Sequence, residues 1–264
     1  MAVLSETSVN IAPAPSVVDL TTQAVPQQSF EEMQRELALR RLLDGPYESS
    51  PSMGNYEYAR DSGLLDKFVY DPASGDDAIL HILAGNVKTG ADGAEIVEGF
   101  HHEPSAAYGQ DLYQRTYVDR SDHHTLNKKK RTELADNGPF ETYKAHTVVA
   151  GRKKLTTQNN PESGQPEVVA AKSGMFPKEY DGLAVLQAIR LAADSRDRDH
   201  DERQENGNVL NVSYAPMIDG ESLMKIRLVF NSDTSKIVSA YPIVKVGGIM
   251  KLSAAAIDSS LGLA

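Results

Sequence analysis

Along residues 224–230 the side chains alternate: Met224, Ile226, Leu228 and Phe230 are apolar, while Lys225 and Arg227 between them are charged. A period of two is that of a strand with one buried face. Asn231 to Ser235 supplies a polar turn, and residues 236–242 read as the returning strand of a hairpin. Residues 209–214 predict another strand, as do residues 140–149, with Tyr143, Ala145, Thr147 and Val149 on one side. Elsewhere the period is helical. Ser29-Phe-Glu-Glu32 is a capping-box pattern opening a helix that carries Phe30, Met33, Leu37, Leu39, Leu42 and Leu43 and stops at Gly45-Pro46. A second helix is expected within residues 56–70, broken near Gly63, and a third carries Leu183, Leu186, Ile189 and Ala193. Residues 152–167 read as a polar loop and residues 194–207 as a mixed-charge linker. Residues 1–28, interrupted by Pro13, Pro15 and Pro26, predict an extended arm. No internal repeat is visible.

Two apolar stretches carry histidine. His81 lies in Ala-Ile-Leu-His81-Ile-Leu-Ala-Gly85, and His101 follows Val97-Glu-Gly99-Phe100, 20 residues later. Both stretches look like strands, and a polar, Gly-rich turn lies between them. Adjacent strands would bring the two imidazoles to one cleft. Imidazole titrates near neutrality, so two facing rings make an acid/base pair. A histidine in a strand is also commonly a hydrogen-bonded structural residue. His102 would point to the opposite face from His101 in a strand, so its loss is expected to be mild.

Composition narrows the classes. The chain has 264 residues, 40% of them hydrophobic, and no cysteine, which removes disulfide, thiolate and Cys-metal chemistry. No signal peptide and no membrane-length apolar run is seen, which makes the cytoplasm the default location, with secretion or delivery by a specialised route left open. The net charge of −10 argues against a general nucleic-acid coat protein, but a local positive cleft would suffice for an enzyme. The run Lys128, Lys129, Lys130 and Arg131 could hold phosphates, or be a solvated face.

The two histidine stretches together, His81-Ile-Leu-Ala-Gly85 and then Gly99-Phe100-His101, resemble the two-histidine signature of EndoU-like endoribonucleases. Lys172-Ser173-Gly-Met-Phe176-Pro177 is similar to the Lys-Ser/Thr-x-x-Phe-Pro element of the bacterial branch, and Ser239-Ala-Tyr241-Pro242 to its C-terminal Ser/Thr-x-Tyr-Pro strand. The resemblance covers residues 76–245 or so. It implies an α+β fold with antiparallel sheets around a catalytic cleft, flanked by helices. It divides the chain into a flexible arm (1–28), a helical appendage (29–72) and the nuclease domain (73–264).

The resemblance also implies a reaction. Single-stranded RNA, with uridine preferred, is cleaved by attack of the ribose 2′-hydroxyl on the adjacent phosphorus, giving a 2′,3′-cyclic phosphate and a 5′-hydroxyl. By resemblance His101 is the base, His81 the acid, Lys172 the cation and Tyr241 the ring beside ribose and base. Ser173 and Ser239 would bind the uracil edge or the phosphate, and Lys128, Lys129, Lys130 and Arg131 the backbone. The lysine is the ambiguous member. The animal and viral branches place it four residues before the serine, where this chain has Val169, so Lys144, Lys153 and Lys154 are rivals. No cofactor is required, with Mn²⁺ or another divalent cation as a stimulant. Bacterial relatives are often toxin tips, for which an immunity protein would be the partner.

Two other classes compete. A metal-dependent hydrolase could use His101, His102, His123 and His124, although no His-x-x-x-His helix and no matching carboxylate set accompany them. A non-enzymatic interaction module would leave both histidines structural.

Overall fold

The computed structural model describes residues 29–45, 54–90, 93–108, 116–120, 142–217, 222–233 and 235–244. The N-terminal arm, His123, His124 and the basic run Lys128, Lys129, Lys130 and Arg131 lie outside the described residues. Helix α1 (Phe30–Asp44) opens on the expected capping box, Ser29 and Glu32 each accepting the other's backbone N–H. Helix α2 (Asn55–Asp61) is followed by a 3-10 turn at Leu65–Lys67, matching the break near Gly63. The short strands β1 (Tyr70–Asp71) and β2 (Asp76–Asp77) pair around a turn and lead into α3 (Ala78–Leu83).

Next come a hairpin of β3 (Asn86–Thr89) and β4 (Glu95–Glu98), then α4 (Glu103–Tyr108), β5 (Tyr117–Asp119) and β6 (Tyr143–Val149). Strands β7 (Arg152–Lys153), β8 (Leu155–Asn159), β9 (Pro166–Ala170) and β10 (Lys172–Met175) precede the long helix α5 (Gly182–Asp194). After a 3-10 turn at Arg198–His200, the strands β11 (Glu202–Arg203), β12 (Val209–Pro216), β13 (Leu223–Phe230) and β14 (Ile237–Pro242) form one sheet in sequence order. A second sheet has the order β10-β6-β5, with β7 added to β6. All named strand pairs are antiparallel. The chain is thus α+β.

The predicted hairpin is β13–β14, and the buried face of β13 is the apolar set Met224, Ile226, Leu228 and Phe230. Residues 152–167, expected as a loop, instead contain β7, β8 and the start of β9. All five residues of β8 are exposed, so this hairpin has no apolar period for a sequence to display. The linker at 194–207 holds the 3-10 turn and β11.

Two cores result. The larger packs α1, α2, α3 and α5 on the inner face of the β11–β14 sheet, joining Leu39, Leu42 and Leu43 to Ile82, Leu186, Ile189, Ile226 and Leu228. The helices of the expected appendage therefore sit in the same core as the sheet. Their contact with α5 is tight: a Cβ on Gly182 would lie 2.4 Å from the Leu42 carbonyl oxygen. The smaller core gathers Phe100, Tyr143, Ala145, Val149 and Met175 under the β10-β6-β5 sheet. The cleft opens where the two sheets meet, edge strand β10 against edge strand β14. There a Cβ on Gly174 would stand 2.3 Å from the Pro242 carbonyl oxygen, so only glycine permits the approach. Among the described residues no helix is long and apolar enough to cross a membrane.

Candidate active site

His81 does not sit in a strand. It lies on α3, a helix of six residues whose N-cap is Asp77, with its carboxylate accepting from the N–H groups of Ile79 and Leu80 at 2.9 and 3.1 Å. So short a helix must be held from outside. At its C-terminal end the carbonyls of His81 and Ile82 accept from the N–H groups of Phe100 and His101, at 2.9 and 2.8 Å. The segment bearing the second histidine is thus hydrogen-bonded to the carbonyls at the C-terminal end of the helix. Two consecutive left-handed residues, Gly99 at φ 69° and the fully buried Phe100 at φ 58°, bend the chain into this position. Gly99 is required for a second reason: a Cβ there would lie 2.0 Å from the His81 carbonyl oxygen. His101 is likewise outside any strand. The expected convergence of the two rings holds, with centroids 6.3 Å apart, but a helix end and a loop achieve it.

Each ring is oriented through Nδ1. His101 Nδ1 is 2.9 Å from the Gly174 carbonyl, which can only accept, so Nδ1 carries the proton and Nε2 bears the lone pair. His81 Nδ1 meets Asn86 Oδ1 at 3.0 Å, and its Nε2 is 3.0 Å from Ser239 Oγ. Burial lowers both pKa values, that of His101 well below the ordinary value. The ammonium of Lys154 lowers both further. For His81, the Asn86 hydrogen bond and the charge of Glu98 act in the opposite direction; for His101 only the Gly174 hydrogen bond does. The two rings therefore differ: His101 is held neutral with a lone pair at Nε2, and His81 has the better support for a proton.

The cleft, about 790 Å³, is lined by both histidines together with Asn86, Glu98, Lys154, Lys172, Ser173, Ser239 and Tyr241. Tyr241 stacks on His101 with ring centroids 5.2 Å apart. Ser173 is buried, its hydroxyl 3.4 Å from both Thr147 Oγ1 and Lys154 Nζ. Lys154, one of the alternatives to Lys172, joins β7 to β8. Its N–H donates to the Thr147 carbonyl at 3.0 Å and its carbonyl accepts from Ala171 N–H at 2.9 Å. Its side chain runs into the cleft, where burial lowers the ammonium pKa against the attraction of Glu98. Lys172 is an exposed residue of edge strand β10 that also reaches the cleft lining. Lys144 is on β6, and Lys153 pairs with Asp119 at 2.9 Å. Asn86 and Glu98 were not anticipated from the sequence. Nothing in a lone Asn or Glu on a short hairpin announces that it faces an imidazole.

His102 is turned away from the cleft. It is 1% exposed, its Nε2 donating to the Tyr180 carbonyl at 2.8 Å and its Nδ1 2.7 Å from Ser105 Oγ. Burial pushes its pKa down to about 4. It is a packed structural residue whose removal would orphan two polar groups, contrary to the mild effect expected from a strand. His101 and His102 therefore cannot share one ligand position. Among the described residues no three His, Asp or Glu side chains are grouped to hold a metal ion.

The curated proteins and the solved structures each gave no match. A family model described as bacterial EndoU nuclease matches residues 75–244, more than half of the chain. That stretch holds α3, both histidines, Lys154, Lys172, Ser173, Ser239 and Tyr241, while α1 and α2 precede it. The chain belongs to the bacterial EndoU nuclease family.

Proposed function

We propose that the protein is an endoribonuclease that cleaves single-stranded RNA on the 3′ side of uridine. The 2′-hydroxyl attacks the adjacent phosphorus, leaving a 2′,3′-cyclic phosphate and a 5′-hydroxyl. The observation that carries this reading is the pair of Nδ1-anchored imidazoles, 6.3 Å apart across one cleft and tuned differently by their neighbours. His101 takes the 2′-hydroxyl proton at Nε2. His81 gives a proton to the departing 5′-oxygen from Nε2, the nitrogen that faces Ser239. A phosphodiester entering the cleft brings negative charge, which raises both imidazole pKa values and favours the protonated acid.

The cation is Lys154 rather than the exposed Lys172, because its ammonium reaches Ser173 and acts on both histidines. A desolvated ammonium stabilises the charge that develops on the phosphorane more than a solvated one. Tyr241 offers its ring to ribose and base, and Ser173 and Ser239 offer hydroxyls to the phosphate or the uracil edge. Lys128, Lys129, Lys130 and Arg131 are proposed to grip flanking phosphates, and a divalent cation to act at most as a stimulant. Delivery as a toxin, with an immunity protein as partner, is compatible with this chemistry.

The test is a matched pair of single-stranded oligomers with one uridine, one of them bearing 2′-deoxyuridine at that position. The RNA should give a cyclic phosphate 3′ of uridine and the deoxy analogue should stay intact. Cleavage of the analogue at the same bond would refute the mechanism, because only a 2′-hydroxyl can attack internally.

A further inference from the structure

The β11–β14 sheet buries one face against α5 and the other helices. Its opposite face continues outward from the cleft. The strand register places Tyr241, Arg227 and Val212 side by side across β14, β13 and β12, with Lys225 and Tyr214 forming the next row. Tyr214, Val212 and Arg227 are half-buried and Lys225 is exposed. The two cations lie near the two rings: Arg227 Cζ is 5.9 Å from the Tyr241 centroid, and Lys225 Nζ is 5.7 Å from that of Tyr214.

Neither cation has a carboxylate partner among the described residues. Elsewhere in the chain Arg35, Arg40, Lys88, Arg120 and Arg152 are ion-paired. The Arg227 Nε is buried without a hydrogen-bond partner, so this guanidinium is held in place at the expense of a donor. Among the described residues the register also brings Glu202 to this face, opposite Leu210, one row from Arg227 and two from Lys225.

We infer that this outer sheet face, Tyr241–Arg227–Lys225–Tyr214, is a track for the single-stranded RNA flanking the cleaved bond. It rests on the ribonuclease reading above. Single-stranded nucleic acid needs rings on which bases stack and cations that meet the phosphates. The face supplies both, a ring beside a cation in each of two rows, and begins at Tyr241, inside the cleft. From strand spacing and rise, Tyr214 lies about 12 Å from Tyr241, within reach of a neighbouring nucleotide on the same strand. Two cations with no carboxylate partner among the described residues suit a polyanionic ligand.

The test uses the full chain and two substrates, a uridine-containing trinucleotide and a 12-nucleotide single-stranded RNA with one uridine. The double variant Tyr214→Leu/Lys225→Gln should lose about tenfold in kcat/KM on the long substrate. Cleavage of the trinucleotide should stay within twofold. Lys225→Gln alone should reduce the salt slope of long-RNA binding by about 0.7. Equal loss on both substrates, or none on the long one, would overturn the track. If the wild-type chain cleaves neither substrate, the proposed function fails by itself. Fluorescence anisotropy of the His101→Ala chain with the 12-nucleotide RNA then decides the track: tenfold weaker binding in the double variant supports it. Unchanged binding, the outcome if this face docks a protein instead, overturns it.

Discussion

Tyr241 lies nearly parallel to His101, their planes 22° apart and centroids 5.2 Å apart, while its hydroxyl is 3.4 Å from an Arg227 NH group. Ring and hydroxyl are separable. Tyr241→Phe keeps the stacked ring and should cleave RNA within about threefold of wild type. Tyr241→Ala removes the platform and the wall behind His101, and kcat/KM should fall about 10- to 100-fold. Equal losses in steady-state assays would move the role to the hydroxyl.

In the proposed reaction Lys154 meets transition-state charge, and its ammonium acts on both histidines. Lys154→Ala should lower kcat by about 10²–10³. Its charge depresses both imidazole pKa values, so its removal should also move both limbs of the pH–rate profile to higher pH. Lys172→Ala should stay within about tenfold of wild type. The reverse order of losses in kcat would return the cation role to Lys172.

Asn86 positions His81 and favours its protonated form. In Asn86→Ala the His81 pKa should fall. The limb on which rate declines as the acid loses its proton then moves to lower pH, while the other limb stays. A pH profile of kcat/KM reads this directly, and a uniform fall in rate with no movement would leave Asn86 a packing residue only.

His102 makes stability depend on pH. Its folded pKa of about 4 lies below the unfolded value near 6.5. The unfolded chain therefore takes up a proton that the folded chain refuses. The contribution is fully present above pH 6.5 and is lost as the pH falls through about 4, amounting to roughly 3 kcal/mol. The depressed pKa values of His81 and His101 add in the same direction. Urea unfolding across this range should show stability falling with acidity, less steeply in His102→Asn. A flat profile for the wild type would contradict the buried, neutral ring.

Much of this was readable in the residues. The alternation at 224–230 dictates β13 because one face is buried and the other is not, and the hairpin follows from the turn chemistry after Phe230. The histidine pair was readable as a pair, but not its scaffold. Ala-Ile-Leu-His-Ile-Leu is too short to distinguish a period of 2 from one of 3.6, and the decisive signal was Asp77, which caps α3 but reads equally well as a turn residue. Lys154 was one candidate of several. That Lys154 is the lysine buried beside Ser173 depends on backbone bonds to Thr147 and Ala171, partners that only the assembled sheet supplies.

Arg35 of α1 holds the same Asp77 through an ion pair at 2.5 Å, with the carboxylate 6% exposed. A helix outside the family-matched stretch thus grips the residue that starts the helix bearing His81. The family-matched stretch begins inside the packed core rather than at its edge. A chain trimmed to start at residue 75 would keep both histidines, Lys154, Lys172, Ser173, Ser239 and Tyr241, and would lose Val69 from the cleft lining. It would also leave the seat of Leu39, Leu42 and Leu43 bare and Asp77 without its guanidinium. Such a fragment should aggregate or lose activity, and Arg35→Gln in the whole chain should weaken cleavage without touching RNA. Transplanting this nuclease onto another carrier would therefore require the joint to lie before α1.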